Sequence, residues 1–483
     1  MFPRSPLRGS ACLHHLIIGA VPAVLCILAA SAANGADPAR RPNFVVIVAD
    51  DLGWHDCGAY GRPQVGTPNI DRLAREGLRF TDAFLTCSSC SPSRASILTG
   101  RYPHNTGAEQ LHWPLPIEQT MFVEPLRAAG YWTAAAGKWH LGKAARSKFD
   151  LVAEGRADQW LPTMKKRPAG KPFFLWLAST DPHRPYKPGA TEPPHDPSKV
   201  VVPPYLPDVP ETRQDLALYY DAISRLDRHT GEVLDELARS GAAYNTLVLF
   251  LSDNGAPFPR CKTTLYDSGI GTPFIIRWPR QVLPERTSVS LVSSIDIAPT
   301  VLELAGVARS PTLQGVSLVP LLTDPAARVR SSIMAEHNWH DYSSYDRAVR
   351  TDHFKYIRNG YLDLPLTPPA DAVGSPTFQA MRRLLAEGRL TPAQRVCFQT
   401  PRPAEELYDL RVDPQEMHNV AAEAEYAGEL TKLRKLLDEW RQQTHDRMPQ
   451  VRTPDEFDRQ TGKPLGPRHQ RVASPELRAE QGD

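Results

Sequence analysis

The chain has 483 residues, 41% of them apolar and 23% charged, which suits one large domain with a smaller companion and leaves ample length for a core. Its 56 lysines and arginines nearly balance 54 aspartates and glutamates. With no long run of one sign, nothing points to a nucleic-acid partner or a stable hold on a membrane surface.

At the amino end, Arg4 and Arg8 precede an apolar run from Leu16 to Ala30, and Ala30-Ser31-Ala32 offers small residues for cleavage. That is the layout of a secretory signal peptide over residues 1–32. The competing membrane anchor needs a span of roughly 20 apolar residues, and Cys26 follows leucine, which argues against a lipid anchor. Export is expected, to a periplasmic, secreted or lysosome-like compartment. The cysteines left after cleavage, Cys57, Cys87, Cys90, Cys261 and Cys397, are odd in number and form no disulfide framework or zinc pattern. Cys87 and Cys90 make one CxxC, for which a redox motif is the competing reading.

Asn43 to Ala49 is a continuous apolar, β-branched run, read as a strand buried on both faces, and it leads into Asp50-Asp51. Phe173 to Ala178 repeats the design and leads to Asp181-Pro182-His183. The proline-dense segment 182–210 is too long for a connector and is expected to wall a site. Leu218, Ile223, Leu226, Val233, Leu234 and Leu237 recur near helical spacing and predict a helix over 215–239, stopped before Gly241. Thr246 to Leu251 is a third buried strand, followed by Ser252-Asp253-Asn254-Gly255, and Pro273 to Trp278 a fourth. Strands alternating with helices predict an α/β class domain with a large, mostly parallel sheet flanked by helices, spanning 37–330. Ligand-binding residues of such sheets gather beyond the carboxyl ends of the strands. From Ser331 the texture changes. Residues 347–351 and 354–358 read as paired, half-exposed strands, and 429–443 as a helix with Leu430, Leu433, Leu437 and Trp440 inward. A smaller C-terminal α+β domain is expected over 331–448, then a poorly ordered polar tail over 449–483.

Asp50, Asp51, Asp253 and Asn254 would bring oxygen donors together at two strand ends, where carboxylates repel unless a cation lies between them. Hard oxygen ligands without a Cys or His pair favour Ca²⁺ or Mg²⁺ over zinc; the bland alternative is helix or turn capping. Cys90-Ser91-Pro92-Ser93-Arg94 begins a longer pattern that runs through Thr99-Gly100. Pro92 suits the first turn of a helix, which places Cys90 at an amino end where an anion is favoured, with Arg94 one turn on. In Gly137-Lys138-Trp139-His140-Leu141-Gly142, Lys138 and His140 supply two donor groups on one face of an extended segment.

Together these patterns resemble the type I sulfatase family: C-x-P-S-R-x4-T-G at Cys90, G-K-x-H-x-G at Gly137, and the positions of His183 and Lys262. The resemblance extends over almost the whole chain after the leader, including 294–300, 314–318 and 406–414. It implies the alkaline-phosphatase-like fold, conversion of Cys90 to formylglycine by a formylglycine-generating or anaerobic sulfatase-maturating enzyme, and one bound Ca²⁺, with Mg²⁺ as the alternative. Asp50, Asp51, Cys90, Asp253 and Asn254 would hold the ion. The hydrated aldehyde would attack sulfur, His183 or Lys262 would protonate the leaving group, His140 would take the proton that frees sulfate, and Arg94 and Lys138 would neutralise charge.

Several stretches, among them Asp181-Pro182-His183-Arg184 and Ser375-Pro376-Thr377-Phe378-Gln379, are similar to the heparan N-sulfatase branch. The resemblance implies a sulfated saccharide substrate, with N-sulfoglucosamine favoured and an O-sulfated sugar next. Two departures bear on this choice. That branch carries Arg where Lys262 stands, and it has a different His-rich stretch where this chain reads Glu336 to Tyr342, a segment expected near the sugar. A phosphatase or phosphonate hydrolase of the same fold is the competing reading, and an inactive glycan-binding protein the remote one.

Overall fold

Runs of apolar, β-branched and aromatic residues build the centre of the molecule. The computed structural model describes residues 41–189 and 191–466; the segment read as a signal peptide lies outside them. In chain order the strands are β1 (Asn43–Ala49), β2 (Leu78–Phe80), β3 (Ala83–Phe84), β4 (Trp132–Gly137), β5 (Leu151–Glu154), β6 (Phe173–Ala178), β7 (Thr246–Ser252), β8 (Phe274–Arg277), β9 (Arg286–Ser288), β10 (Val292–Ser293), β11 (Ser332–His340), β12 (Tyr342–Thr351), β13 (Phe354–Asn359) and β14 (Glu405–Asp409). Eight of them form one sheet in the order β5-β4-β6-β1-β7-β8-β2-β9. From β5 to β7 neighbours run parallel, whereas β8 is antiparallel to both β7 and β2. The sheet is therefore mostly parallel, as expected.

Successive side chains of a strand face opposite ways, and here both sides are dry. Phe44, Val46 and Val48 enter one core with Ala95, Ile97 and Leu98 of the helix Cys90–Thr99. Val45, Ile47 and Ala49 enter the other, under Leu216, Ile223, Leu226, Val233 and Leu237 of the long helix Pro210–Arg239. That helix starts five residues before the expected 215, with Pro210 in its first turn, where a missing N–H costs nothing.

A second, antiparallel sheet, β11-β12-β13-β14, follows. The helix Ala427–Thr444 covers one face with Leu430, Leu433, Leu437 and Trp440, which meet Met334, Val349, Tyr356 and Leu407. The expectation of half-exposed strands is corrected: Ile333, Ala335, Ala348 and Ile357 on the opposite face join the core of the first sheet. Lys355 and Arg350 are buried there too, paired with Asp267 and Asp82. Strand alternation identifies two faces but cannot tell whether the second meets water or another layer.

The tail is also corrected. As far as residue 466 it packs against the second sheet: the Trp339 indole donates to the Pro454 carbonyl (3.0 Å), the Asp455 carboxylate accepts from the Ser343 N–H (2.6 Å), and the Glu456 N–H donates to the Asp341 carbonyl (2.9 Å). Phe457 and Pro464 then pair as a short antiparallel bridge. No helix among the described residues is long and apolar enough to cross a membrane.

Candidate active site

The register of the central strands creates the site. Ala49 of β1 pairs with Ser252 of β7, so the next residues, Asp50-Asp51 and Asp253-Asn254, must emerge side by side. All four are buried. Asp51 turns into the left-handed region at φ 74°, a conformation that Asp tolerates better than most residues. β4 and β6 end at the same level, tied by the Lys138 N–H donating to the Ala178 carbonyl (3.0 Å), and they deliver Lys138 and, after Asp181-Pro182, His183.

Cys90 opens its helix as expected, with Ser89 as the preceding cap residue. Its Sγ lies 3.8 Å from Asp50 Oδ1 and 4.0 Å from Asp51 Oδ1. Arg94, one turn on and fully buried, donates from Nε to Asp253 Oδ2 (2.8 Å) and from a terminal nitrogen to the Lys138 carbonyl (2.9 Å). Lys138 Nζ contacts both Asp50 oxygens at 2.8 and 2.7 Å, and Lys262 Nζ lies 2.9 Å from Asp51 Oδ2. His183 Nε2 stands 3.9 Å from Asp51 and 3.8 Å from Asp371. Cys90, Lys138, His140, His183 and Lys262 share the lining of one cavity of about 620 Å³. The residues proposed from sequence thus converge, and His140 turns to a residue the sequence did not single out: its Nε2 meets Nδ1 of His112 at 2.6 Å.

The donor set fits a hard divalent cation. Oxygens of Asp50 and Asp253 and the Cys90 sulfur lie within 4.8 Å of one another, as do donor atoms of Asp51, Cys90 and His183. Asn254 turns its amide N–H to Asp51, which leaves Oδ1 buried without a partner among the described residues. A buried orphan carbonyl beside three carboxylates is the arrangement Ca²⁺ or Mg²⁺ satisfies.

The charges confirm how crowded the site is. Burial works to raise Asp50, but Lys138, His183, Arg94 and Lys262 outweigh it and hold the carboxyl well below the usual range. Burial pushes Asp253 up to about 6 despite Arg94. For Lys262, burial favours the neutral form, yet Asp51 carries it well above its ordinary value. Burial also pushes the Cys90 thiol up to about 12, with Lys138 and Lys262 opposing. As an unmodified residue Cys90 stays protonated at neutral pH, a poor nucleophile. Burial together with Lys138, His112 and Arg94 keeps His140 well below its ordinary value, so its ring is neutral.

Sequence reasoning missed part of the wall. His112, Asp371, Phe457, Gly462 and Pro464 line the cavity, and no local pattern announces them. In the stretch expected near the sugar, His340 and Asp341 do line it, whereas Glu336 turns away to His104. The proline-dense segment contributes His183 to the lining, and its remainder is tied to the long helix: Arg184 pairs with Asp215 at 2.8 Å and His195 with Asp221 at 2.7 Å. The wall expected of it is made instead by 370–371 and the tail.

A family description named Sulfatase matches residues 42–162 and 154–307. A second, N-sulphoglucosamine sulphohydrolase, C-terminal, matches 261–363. The chain is 33% identical over 476 residues to human N-sulphoglucosamine sulphohydrolase, covering 86% of this chain and 93% of that protein. It is 32% identical over 450 residues to an ulvan-active sulfatase of Formosa agariphila, covering 83% and 75%. Among solved structures, a protein in complex with its substrate D-glucosamine-2-N,6-O-disulfate superposes with a TM-score of 0.66 at 22% identity, over 85% of this chain and 99% of the other.

Proposed function

Because the chain belongs to the sulfatase family, we propose that it works as an exported hydrolase of sulfated saccharides. Cys90 is read as the site of formylglycine, installed by a formylglycine-generating or anaerobic maturating enzyme, and Asp50, Asp51, Asp253 and Asn254 as the holders of one Ca²⁺ or Mg²⁺. The observation that carries this reading is the position of Cys90 Sγ, at 3.8 and 4.0 Å from two buried carboxylates and at the floor of a cavity ringed by cationic donors.

When bound, the cation supplies Lewis acidity toward sulfate oxygens, and the hydrated aldehyde supplies the attacking hydroxyl. The chain's own groups do the rest. Lys138 and Lys262 offset the negative charge that a sulfate brings beside Asp50 and Asp51. Arg94, pinned between Asp253 and the Lys138 carbonyl, fixes the carboxylate geometry before substrate arrives. His183 is the better proton donor to the leaving atom. Its side chain is 30% exposed to the cavity side, whereas Lys262 is buried, doubly engaged by Asp51 and raised well above its ordinary value. A lysine held so tightly by a carboxylate keeps its proton, which makes it a poor donor. His140, neutral, is suited to take a proton back.

Above this floor, Asp341, Asp371 and Glu456 offer carboxylates to saccharide hydroxyls, and Phe457 and Pro464 close the outer side. A walled cavity suits a terminal sugar more than the interior of a polymer, which favours exo action. N-sulfoglucosamine is the preferred substrate, supported by the match to the C-terminal region of that sulphohydrolase, with an O-sulfated sugar second.

The test is sulfate release by protein co-expressed with a formylglycine-generating enzyme, from N-sulfoglucosamine against 6-O-sulfated N-acetylglucosamine, with a phosphate monoester and a phosphonate monoester as controls. Faster phosphate or phosphonate turnover would overturn the reading.

A further inference from the structure

His112 carries no motif and lies in a loop 22 positions beyond Cys90, yet the structure couples it to both halves of the site. Its N–H donates to Ser91 Oγ at 2.9 Å, so the signature helix itself holds the loop. Its Nδ1 lies 2.6 Å from His140 Nε2, with the rings 4.7 Å apart. Both residues sit in the left-handed region, His112 at φ 67° and His140 at φ 59°. Two non-glycine residues held in that region opposite one another show that surrounding structure imposes the geometry. His140 Nδ1 is meanwhile buried and has no partner among the described residues.

The neutral His140 ring carries one proton, on either of its two nitrogens, and its position decides what the other nitrogen can do. A base acting through His140 Nδ1 needs that nitrogen empty. The proton must then sit on Nε2 and be donated to His112 Nδ1. We propose that His112 is the positioning residue of His140: it fixes the ring's orientation and its Nε2-protonated tautomer, and Ser91 fixes His112 in turn. Lys138 on the same segment, Arg94 from the signature helix and Asp50 from the end of β1 also face His140. Burial, Lys138 and Arg94 hold it neutral against the opposing pull of Asp50, and among the described residues none of these three side chains is hydrogen-bonded to either ring nitrogen, so the tautomer rests with His112. The inference depends on His140 acting as the proton acceptor of the proposed sulfatase reaction.

The experiment compares wild type, His112→Ala and His112→Asn, each verified by intact mass to carry formylglycine, with N-sulfoglucosamine and a small aryl sulfate as probes. An Asn amide oxygen can occupy the place of the His112 Nδ1 acceptor. His112→Ala is expected to lower kcat about 10- to 100-fold, the range for residues that orient a working ligand, with KM essentially unmoved; His112→Asn should recover most of the loss. Unchanged kcat in His112→Ala, or an Asn variant as poor as the Ala variant, overturns the assignment. Nitrogen NMR of isotope-labelled histidine rings reads the same claim without turnover. His140 should be protonated on Nε2 in wild type and lose that preference in His112→Ala; an identical tautomer in both refutes the role of His112. Absence of turnover in wild type with the expected tautomer intact would instead count against the sulfatase reading.

Discussion

Replacing His183 by alanine separates its role from that of Lys262. His183 stands at the cavity with Nε2 3.9 Å from Asp51, while Lys262 is 1% exposed and bound to both oxygens of Asp51. If His183 delivers the proton, its loss matters in proportion to how badly the leaving atom needs one. On a sugar sulfate or sulfamate, kcat should fall about 10²- to 10⁴-fold, the usual worth of a general acid, and on an aryl sulfate with a good leaving group about tenfold at most. Lys262→Met removes a charge, which every leaving group feels alike. Its loss should be about 10²- to 10³-fold on both substrates, equal to about 2.7–4 kcal/mol of transition-state stabilisation. It also strands the Asp51 carboxylate, a defect of about 3–5 kcal/mol in a buried pair, which should appear as a lower Tm in metal-free protein and shrink when the cation is added. The assay is steady-state turnover of both substrates by both variants at matched formylglycine content. Equal losses for the two substrates in His183→Ala, or an aryl sulfate activity spared in Lys262→Met, would refute this division of labour.

Co-expression with a formylglycine-generating enzyme should lower the mass of the peptide that contains Cys90, and Cys90→Ala should abolish both the mass change and sulfate release. Chelation should remove activity and lower Tm, with recovery on adding Ca²⁺ or Mg²⁺; Asn254→Ala should weaken the recovery by raising the cation concentration it needs, measured by titration calorimetry. Asp341 gives a pH prediction with a definite sign. Burial pushes its carboxyl up to about 6 from an ordinary 3.8, so the folded state binds more protons between those values and stability falls as pH rises through that window. At about 1.4 kcal/mol per pKa unit the full penalty above pH 6 is about 3 kcal/mol. Asp341→Asn, which keeps an acceptor for the Ala370 N–H, should raise Tm at pH 7 and flatten its dependence from pH 4 to 6 in a thermal melt. A steeper dependence in the variant would contradict the sign.

Most of the catalytic floor was legible because it is built from local facts. A strand buried on both faces needs an unbroken apolar run, and the first polar residues after Ala49 and Leu251 mark its carboxyl end. Parallel register then obliges Asp50-Asp51 and Asp253-Asn254 to meet. Cys90, Pro92 and Arg94 are placed by helix geometry alone, within one turn. The helix Ala427–Thr444 was readable for the same reason, since its inward residues recur at the helical period.

The roof was not readable. His112 sits on a loop, Asp371 on the short helix Ala370–Val373 and Phe457 in a lone β-bridge, segments too short to carry a periodic signal, and they line the cavity with Cys90 only because separate layers pack together. The amino-acid sequence by itself determined the mostly parallel sheet, the carboxylate cluster and the signature helix, each a consequence of short-range pattern and backbone geometry. Only the tertiary structure decided that His140 faces His112, that Lys262 is locked to Asp51 while His183 remains open to the cavity, and that the tail closes the pocket. Those outcomes depend on distances between segments far apart in the chain, which side-chain packing sets and no local pattern encodes.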